Sequence, residues 1–237
     1  MTKVAIIIPA RLGSTRFPRK VLAPINGKPM VVCVAEQAVQ SAAGDVFVAC
    51  CEQEVADVVI SYGYKAILTD PALLTGSDRI YQASLQIGND YSVIVNLQGD
   101  VPLIDPKSIK VTINTLLSSG CDIATIAAPI NHEEEKQNPN VVKAIIALDG
   151  RALYFTRSTP YGDGTCYHHI GVYAYTKNAL ERFVTLPQSP LEKRESLEQL
   201  RALENGMSIA VGIVEDFPHG VDTEEDLQAI LKKVGNG

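Results

Sequence analysis

Three short segments carry charged and small residues in an arrangement suited to polyphosphate and metal binding. Residues 9–20, PARLGSTRFPRK, combine four cations with Gly13 and two hydroxyl residues directly after an apolar run. Residues 98–100, QGD, follow a second apolar run, and residues 220–227, GVDTEEDL, contain Asp222. Arginine holds phosphate oxygens as a planar fork, lysine acts as a point charge, and carboxylates are the ligands that Mg²⁺ prefers. These segments indicate a site for a polyphosphate and a divalent cation.

Basic residues are concentrated near the start of a chain that is acidic overall. The 237 residues include 21 Lys and Arg against 27 Asp and Glu, a formal net charge of −6 at pH 7. Residues 1–35 hold six of those cations and no Asp or Glu. An acidic chain is not expected to bind nucleic acid. The basic cluster favours a local anion site, with a solvated basic face as the alternative.

Each of the two carboxylates also has a simpler interpretation. Asp100 follows a glycine and could be an ordinary turn residue. Asp222 or Thr223 could cap the last helix, and Ser77 is predicted to cap an earlier one. The first segment lacks the GxxxxGK[ST] pattern and the sequence contains no GxGxxG. A kinase-like phosphate loop and a classical dinucleotide fold are therefore disfavoured.

Apolar runs and amphipathic segments alternate in the first half of the chain and so predict parallel strands joined by helices. The predicted strands are residues 3–9, 45–51, 65–68, 92–97 and 122–128, and the helices are 29–42, 52–62, 77–87 and 106–118. Later strands at 141–147, 152–156 and 170–175 follow one another directly, and helices at 191–204 and 223–234 flank a strand at 208–214. We expect one α/β domain over residues 1–237, with an antiparallel subregion at about 140–185.

Seven motifs taken in order resemble the 3-deoxy-manno-octulosonate (Kdo) cytidylyltransferase family of bacteria that make lipopolysaccharide. The motifs are PAR-x-GSTR-x-P-x-K, NLQGD-x-P, NPN-x-VK, ALYF-x-RS, HIGVYAY, ESLEQLR and GVDT-x-ED-L, spread from about residue 4 to residue 227. The resemblance implies a Rossmann-like nucleotidyltransferase sandwich, with a mostly parallel sheet and a small antiparallel extension. It implies an enzyme that converts CTP and Kdo to CMP-Kdo and pyrophosphate with Mg²⁺, and it implies a homodimer.

The resemblance also assigns roles to the nucleotide and metal residues. Arg11, Arg16 and Lys20 would hold the triphosphate and stabilise the departing pyrophosphate. Asp100 and Asp222 would bind Mg²⁺, and together with Arg11 and Lys20 they form the predicted catalytic set. The remaining nucleotide-binding residues implied are Ala10, Thr75, Ser77 and Arg79.

The sugar acid is expected to meet a separate group of polar residues. Arg157 offers a fork for its carboxylate, and the others can bond its hydroxyl groups. The residues implied are Gln98, Arg157, His169, Tyr173, Tyr175, Glu198 and Gln199. Without the resemblance, His169 on an apolar strand would be interpreted as a satisfied core residue.

Some positions depart from the family pattern. Arg19 stands where the family usually has Gly, Cys50 and Cys51 replace a hydroxyl and an acid, and Val101 replaces a common Glu. Residues 158–167 form a shorter segment than usual on the sugar side. The same reaction on a related sugar acid, such as 8-amino-3,8-dideoxy-octulosonate, is therefore the alternative, and a catalytically silent nucleotide-binding protein is a weaker one.

The chain is expected to be a cytoplasmic protein that does not insert into membranes. Its first long apolar stretch, residues 4–10, is too short to span a bilayer, and no secretory signal is evident. The five cysteines have no CxxC spacing. Reduced thiols are expected, and structural zinc is not.

Overall fold

A computed structural model of the chain describes residues 2–13, 16–216 and 220–235. Ser14 and Thr15, the two hydroxyl residues of the first motif, lie outside the described residues. The described strands are β1 (Val4–Ala10), β2 (Pro24–Ile25), β3 (Lys28–Pro29), β4 (Asp45–Cys50), β5 (Lys65–Leu68), β6 (Val93–Leu97), β7 (Ile123–Pro129), β8 (Lys143–Ile146), β9 (Ala152–Thr156), β10 (Tyr167–Thr176) and β11 (Ile209–Ile213).

The helices follow the same chain order, and a short 3-10 helix occupies Lys20–Leu22. They are α1 (Met30–Gln40), α2 (Gln53–Ser61), α3 (Gly76–Gln86), α4 (Pro106–Ser119), α5 (Glu133–Gln137), α6 (Lys177–Thr185), α7 (Pro190–Glu195), α8 (Leu200–Glu204) and α9 (Glu224–Gly235). None of the helices in the described ranges is long and apolar enough to cross a lipid bilayer.

The chain divides into two compact units. The first comprises Met1–Ile109 with Pro218–Gly237, and the second comprises Lys110–Phe217. The expectation of a single domain over residues 1–237 stays a prediction. The α/β class is confirmed, because the first unit carries parallel strands with helices and the second adds antiparallel pairs.

The first unit is built on four parallel strands in the order β6-β1-β4-β5. β1 is almost completely buried, as its apolar sequence VAIIIPA requires. The chain leaves β1 toward β4 on one side, and β6 later returns on the other side. This reversal of strand order lies between β1 and β6, and in open α/β sheets ligands bind at the carboxyl ends of strands beside such a point.

The second unit is centred on β7, which pairs antiparallel with β10 and parallel with β11. β8 pairs antiparallel with β10 and with β9, which gives the predicted antiparallel region its observed form. The register of β10 against β7 shifts between Ile170 and Tyr173. This irregularity falls within the motif HIGVYAY and alters which side chains share a face of the strand.

Two predicted helical features are wrong. The helix expected over residues 191–204 is broken into α7 and α8, because Ser196 adopts a left-handed conformation with φ 55° and ends α7. The N-cap of α3 is Thr75 and not Ser77, and Asp78 completes a capping box with it. α6 was not expected, although Thr176 caps it and its apolar residues Ala179, Leu180 and Phe183 have helical spacing.

Candidate active site

A cleft of about 320 Å³ opens in the first unit at the carboxyl ends of β1 and β6. Its lining combines the loop after β1, the start of α3, the turn after β6 and one residue before α9. The lining residues are Pro9, Ala10, Arg11, Gly13, Arg16, Lys20, Val21, Leu74, Thr75, Gly76, Arg79, Gln98, Gly99, Asp100 and Asp222. The three motifs that suggested phosphate and metal chemistry thus meet at one place.

The ammonium group of Lys20 lies at the centre of the charged residues. Its Nζ donates to Asp100 Oδ2 at 2.7 Å, to Asp222 Oδ1 at 3.2 Å and to the Val221 carbonyl oxygen at 3.0 Å. The Lys20 side chain is only 13% exposed and that of Asp100 is 29% exposed, so water screens this pair less than it screens the pair with the half-exposed Asp222. Two carboxylate oxygens from distant parts of the chain therefore converge on one cation.

Asp222 does not cap α9 with its side chain, because its neighbours Thr223 and Asp226 do so. The Thr223 hydroxyl accepts from Asp226 N, while Asp226 Oδ2 accepts from the backbone N–H groups of Asp222 and Thr223. Thr223 and Asp226 thus satisfy the start of α9. The Asp222 carboxylate instead contacts Lys20 and Arg16, the latter at 3.1 Å.

Asp100 is held in place by its own backbone and by a glycine. Its carbonyl oxygen accepts from Val221 N at 2.8 Å, which ties the turn after β6 to the segment before α9. A Cβ at Gly99 would lie 2.9 Å from the Pro9 carbonyl oxygen. The absence of a side chain at Gly99 therefore lets the turn after β6 approach the end of β1 closely.

An apolar cluster holds Asp222 from the other side. Val221 is fully buried together with Met30 of α1 and with Leu227 and Ile230 of α9. Phe17, from the loop after β1, packs against the same cluster. Burial of these side chains stabilises the loop and the segment before α9 in one arrangement.

Two glutamates at the start of α2, which sequence reasoning did not select, hold the loop after β1. Glu52 Oε1 accepts from Leu12 N at 3.0 Å, and Glu54 pairs with the guanidinium of Arg19. Arg19 N donates to the Leu12 carbonyl at 3.0 Å, and Arg19 has φ 60°. A left-handed backbone is the conformation that glycine adopts most readily, and this chain has Arg19 where the family usually has glycine.

The segment before α3 forms another wall of the cleft. Arg79 is buried and donates to Thr69 Oγ1 at 2.6 Å and to the Leu73 carbonyl at 3.4 Å. Its guanidinium therefore organises the loop that precedes Thr75. Ser77 is buried and is absent from the residues described as lining the cleft. Of the nucleotide-binding residues implied by the sequence, Ser77 alone does not line the cleft.

The cations of the cleft differ in their pairing. Arg16 and Lys20 are both paired with Asp222. Arg11 is exposed, and within the described residues no ion pair engages it. Arg11 is consequently free to meet an anionic ligand.

The carboxylates of the cleft have the chemistry needed to hold Mg²⁺. No group of three or more His, Cys, Asp or Glu side chains forms a metal site among the described residues. Mg²⁺ needs fewer protein ligands, since it keeps several waters and is commonly bound by one or two carboxylates together with substrate phosphates. Asp100 and Asp222 already share one cation, the Lys20 ammonium, and so fit this requirement.

The predicted sugar-binding residues other than Gln98 belong to the second unit. His169 is buried on β10 with its ring edge to face against Phe155 at 4.8 Å between centroids, and Tyr173 follows at 5.5 Å. The ring centroids of Tyr173 and Tyr175 are 6.1 Å apart. Burial and then the charge of His168 lower the pKa of His169 to about 3, so its ring is neutral at neutral pH.

Arg157 is held by backbone carbonyls. Its Nε donates to the Glu195 carbonyl at 2.9 Å and its Nη1 to the Pro139 carbonyl at 3.0 Å. Lys143, whose side chain is fully buried, donates to the carbonyls of Arg157 at 2.8 Å and Asn138 at 3.0 Å. The motifs NPN-x-VK and ALYF-x-RS thus form one hydrogen-bonded structure around Arg157.

Glu195 completes that structure from α7. Its carboxylate accepts from Arg157 N, Tyr154 Oη and Thr156 Oγ1 at 3.1 to 3.3 Å. Desolvation raises the pKa of Glu195, but these hydrogen bonds outweigh it and lower the pKa on balance. Glu195 was recognised in the sequence only as part of the motif ESLEQLR.

The predicted sugar-binding residues with amide or carboxylate side chains, Gln98, Glu198 and Gln199, have different surroundings. Gln98 lines the cleft of the first unit and donates to Asn96 Oδ1 at 3.2 Å. Gln199 is buried, and its Nε2 has no hydrogen-bond partner among the described residues. The charge of Glu198 contributes to raising the pKa of Tyr173 well above its usual value, although burial is the larger cause.

The parallel sheet and the cationic cleft with paired carboxylates are those of a nucleotidyltransferase. Residues 5–209 match the family described as cytidylyltransferase. A 3-deoxy-manno-octulosonate cytidylyltransferase of Parvibaculum lavamentivorans is 52% identical over 94% of this chain and 89% of its own length. One of Bartonella henselae is 53% identical over 96% of both chains. This chain belongs to the cytidylyltransferase family.

Solved structures agree with this relationship. The structure of a CMP:2-keto-3-deoxy-manno-octonic acid synthetase complexed with CTP matches with a TM-score of 0.94 at 34% identity, covering 99% of both chains. A 4-diphosphocytidyl-2C-methyl-D-erythritol synthase of Anaerococcus prevotii matches with a TM-score of 0.67 at 13% identity, over 99% of both chains, and shows the shared fold alone.

The buried neutral imidazole of His169 predicts a specific pH dependence of stability. In the unfolded chain this histidine has its ordinary pKa of 6.5 and is protonated below that pH. In the folded protein its pKa is about 3, so the ring stays neutral down to that pH. The unfolding free energy should therefore fall with decreasing pH in this window, with a contribution that approaches about 1.4 kcal/mol per pH unit. Urea unfolding between pH 7 and pH 4 should show a shallower dependence for His169→Gln than for the wild type. His132→Gln, at an exposed position, is the control, and equal slopes for all three proteins would contradict a neutral buried His169.

Proposed function

We propose that the protein is a cytidylyltransferase that joins CTP and Kdo to give CMP-Kdo and pyrophosphate, supplying an activated sugar for lipopolysaccharide synthesis. The observation that carries the proposal is the convergence of Asp100 and Asp222 on the Lys20 ammonium, in a cleft whose loop supplies further cations. Family membership and the relatives named for this reaction support the same substrates.

The nucleotide is proposed to bind in the cleft of the first unit. The triphosphate meets Arg11, Arg16 and Lys20, which neutralise its charge and that of the departing pyrophosphate. The base lies toward Ala10 and the segment before α3, where Thr75 and the loop organised by Arg79 supply backbone and hydroxyl groups. Backbone donors and acceptors suit the carbonyl and exocyclic amine of cytosine.

Asp100 and Asp222 are proposed to hold Mg²⁺. When bound, the ion would neutralise phosphate charge and lower the pKa of the attacking hydroxyl. Lys20, placed between the two carboxylates, keeps them close together by offsetting their mutual repulsion. The carboxylates are thereby held ready for a second, divalent cation.

The sugar acid is proposed to present its carboxylate to Arg157. Carbonyl oxygens already fix the Nε and Nη1 edges of that guanidinium, which orients the group without neutralising it. His169, Tyr173, Tyr175, Glu198 and Gln199 are proposed to bond the hydroxyl groups, and the unpartnered Nε2 of Gln199 supplies a donor. Gln98 remains a proposed contributor.

The chemical step follows from the chemistry of the two proposed substrates. The anomeric hydroxyl oxygen of Kdo attacks the α-phosphorus of CTP in line, forming the new O–P bond while the bond to the β-phosphate oxygen breaks. The electrons of the broken bond leave with pyrophosphate, which Arg11 and Lys20 stabilise. The hydroxyl proton is released, with Asp222 as the nearby base. No serine or cysteine nucleophile is needed.

Pyrophosphate release tests the substrate assignment directly. With Mg²⁺ and Kdo, CTP should support release at least about 100-fold faster than ATP or GTP, because a site that hydrogen-bonds one base leaves its polar groups unpaired with another. With CTP held constant, Kdo should be preferred over its 8-amino analogue and over a sialic acid. Comparable rates with all nucleotides would contradict the CTP assignment, and preference for the 8-amino sugar would replace Kdo as substrate.

Asp222 and its neighbour Thr223 provide a matched pair of variants. Asp222→Asn and Asp100→Asn should each lower kcat by about 100-fold or more, since each removes a charge that stabilises the reacting groups. Thr223→Ala should cost about 1 kcal/mol of stability through loss of the α9 cap while kcat stays near the wild-type value. Near-wild-type turnover by Asp222→Asn at saturating CTP and Mg²⁺ would refute the catalytic role of that carboxylate.

We further propose a cytoplasmic homodimer. The second unit exposes apolar side chains, including Leu148, Leu153 and Ile213. Arg151 forms an antiparallel bridge with Ala210, which places the start of β9 beside the start of β11 in this unit. Apolar surface of this kind is typical of permanent interfaces between subunits.

Light scattering checks the proposed dimer. At micromolar concentration the wild type should scatter as twice the chain mass of 25.6 kDa. Leu153→Glu, on β9, should shift the protein toward the monomer because a charge at the centre of an apolar interface is costly to bury. Leu85→Glu, at an exposed position on α3 of the first unit, is the control. A wild-type mass of a single chain would contradict the proposal.

A further inference from the structure

A buried threonine of β7 contacts the imidazole of His169. Thr125 Oγ1 lies 3.0 Å from His169 Nε2, and both side chains are buried. The threonine played no part in the sequence-based assignment of the sugar-binding residues. Its position matters because neutral histidine has two tautomers, which present different hydrogen-bonding groups.

The other partners of the Thr125 hydroxyl decide between those tautomers. Oγ1 also lies 2.9 Å from the Val172 carbonyl oxygen and 3.1 Å from the Ile170 carbonyl oxygen. A hydroxyl has one hydrogen to donate, and carbonyl oxygens can only accept. The Thr125 hydrogen is therefore directed to these carbonyls, and His169 Nε2 meets a lone pair of Oγ1.

A nitrogen that meets a lone pair must carry the proton for the contact to be favourable. His169 Nε2 is then the donor, and Nδ1 retains its lone pair. The opposite tautomer would draw the single hydroxyl hydrogen to Nε2 and leave Oγ1 beside both carbonyl oxygens with no hydrogen to donate, in a buried place where such contacts are costly.

We propose that Thr125 is a positioning residue that holds His169 as the neutral Nε2–H tautomer, so that Nδ1 accepts a hydrogen bond from a hydroxyl of the sugar acid. This assignment rests on the proposed function, in which His169 contacts that substrate. It makes His169 a determinant of specificity for a hydroxyl donor at one position of the sugar.

The surroundings of His169 support an acceptor that persists over the physiological pH range. Within the described part of the chain, no hydrogen bond reaches Nδ1. The rings packed against His169 are Phe155 and Tyr173. Burial, followed by the charge of His168, lowers the pKa of the His169 ring, and burial raises that of Tyr173. Neither ring changes charge near pH 7, so the acceptor at Nδ1 is retained.

The tautomer can be measured on the free protein, without substrate. Long-range ¹H–¹⁵N correlation spectra at pH 7 distinguish a protonated imidazole nitrogen from an unprotonated one, and the chain contains only four histidines. The His169→Gln spectrum assigns the resonances. His169 should show a protonated Nε2 and an unprotonated Nδ1. A protonated Nδ1 in the wild type would overturn the proposal.

Two substitutions at Thr125 then connect the tautomer to the substrate. Thr125→Val keeps the side-chain shape and removes the hydroxyl, whereas Thr125→Ser keeps the hydroxyl. Thr125→Val should raise the KM for Kdo about tenfold, the effect expected for one misplaced hydrogen bond, and leave the KM for CTP within about twofold. Thr125→Ser should restore the KM for Kdo and the wild-type His169 spectrum.

The same variants give the contrary outcomes. A Thr125→Val protein with an unchanged KM for Kdo would overturn the positioning role. If Thr125→Val raised the KM for CTP as much as the KM for Kdo, the threonine would be a purely structural residue. The same conclusion would follow if Thr125→Ser raised the KM for Kdo as much as Thr125→Val does. If Thr125→Val fails to fold, as judged by circular dichroism, the wild-type and Thr125→Ser spectra still decide the tautomer.

Fluorinated substrates test the direction of the hydrogen bond at Nδ1. Kdo analogues with one hydroxyl at a time replaced by fluorine lose a donor and keep a weak acceptor. With the wild type, one of these analogues should have a kcat/KM about tenfold or more below that of Kdo. With Thr125→Val, the same analogue and Kdo should have equal kcat/KM values. If none does so, Nδ1 does not accept from the sugar. If the wild type turns over no sugar acid, the proposed function is wrong, and so is the assignment of a sugar hydroxyl to Nδ1. The spectra of the free protein still decide the tautomer in that case.

Discussion

The ammonium group of Lys20 joins three parts of the chain that are far apart in the sequence. Asp100 lies 80 positions away and Asp222 lies 202 positions away, and both carboxylates reach the same nitrogen. Two carboxylates brought together without a cation would repel each other and favour separation of their segments. The position of α9, the turn after β6 and the loop after β1 are therefore mutually dependent. The hydrogen bond from Val221 N to the Asp100 carbonyl joins two of these segments, the turn after β6 and the residues before α9, at the level of the backbone.

Much of this arrangement could be predicted from the sequence because its cause is periodic or local. Buried parallel strands appear as continuous apolar runs, and the carboxyl ends of such strands share one edge of the sheet. That rule alone brings the residues after β1 and β6 together, and the structure places Arg11 and Asp100 in one cleft accordingly. The strand Lys65–Leu68 and the strand Ala152–Thr156 were predicted with their observed bounds.

What the sequence could not supply depends on contacts between distant residues. The break between α7 and α8 rests on a left-handed Ser196, a conformation that serine rarely adopts and no sequence pattern announces. The contribution of Glu52 could not be predicted from the sequence, because its carboxylate accepts a hydrogen bond from the backbone N–H of a loop residue 40 positions earlier. Arg19 has a left-handed backbone where the family usually has glycine, and its pairing with Glu54 of α2 is visible only in the folded chain.

In the proposed function, the two units recognise charge and polarity by different physical means. In the first unit the cations Arg11 and Arg16 are exposed, so their attraction for a polyphosphate acts through water and weakens as salt is added. In the second unit His169 is neutral and buried, and its hydrogen bonds gain strength from the low local polarity. The first kind of contact attracts any polyphosphate and leaves selection to the base. The second kind discriminates among neutral hydroxyl groups, because a buried acceptor left unpaired is costly. In the proposed function, selection of the sugar therefore depends on a few buried atoms whose protons must be correctly placed before the substrate arrives.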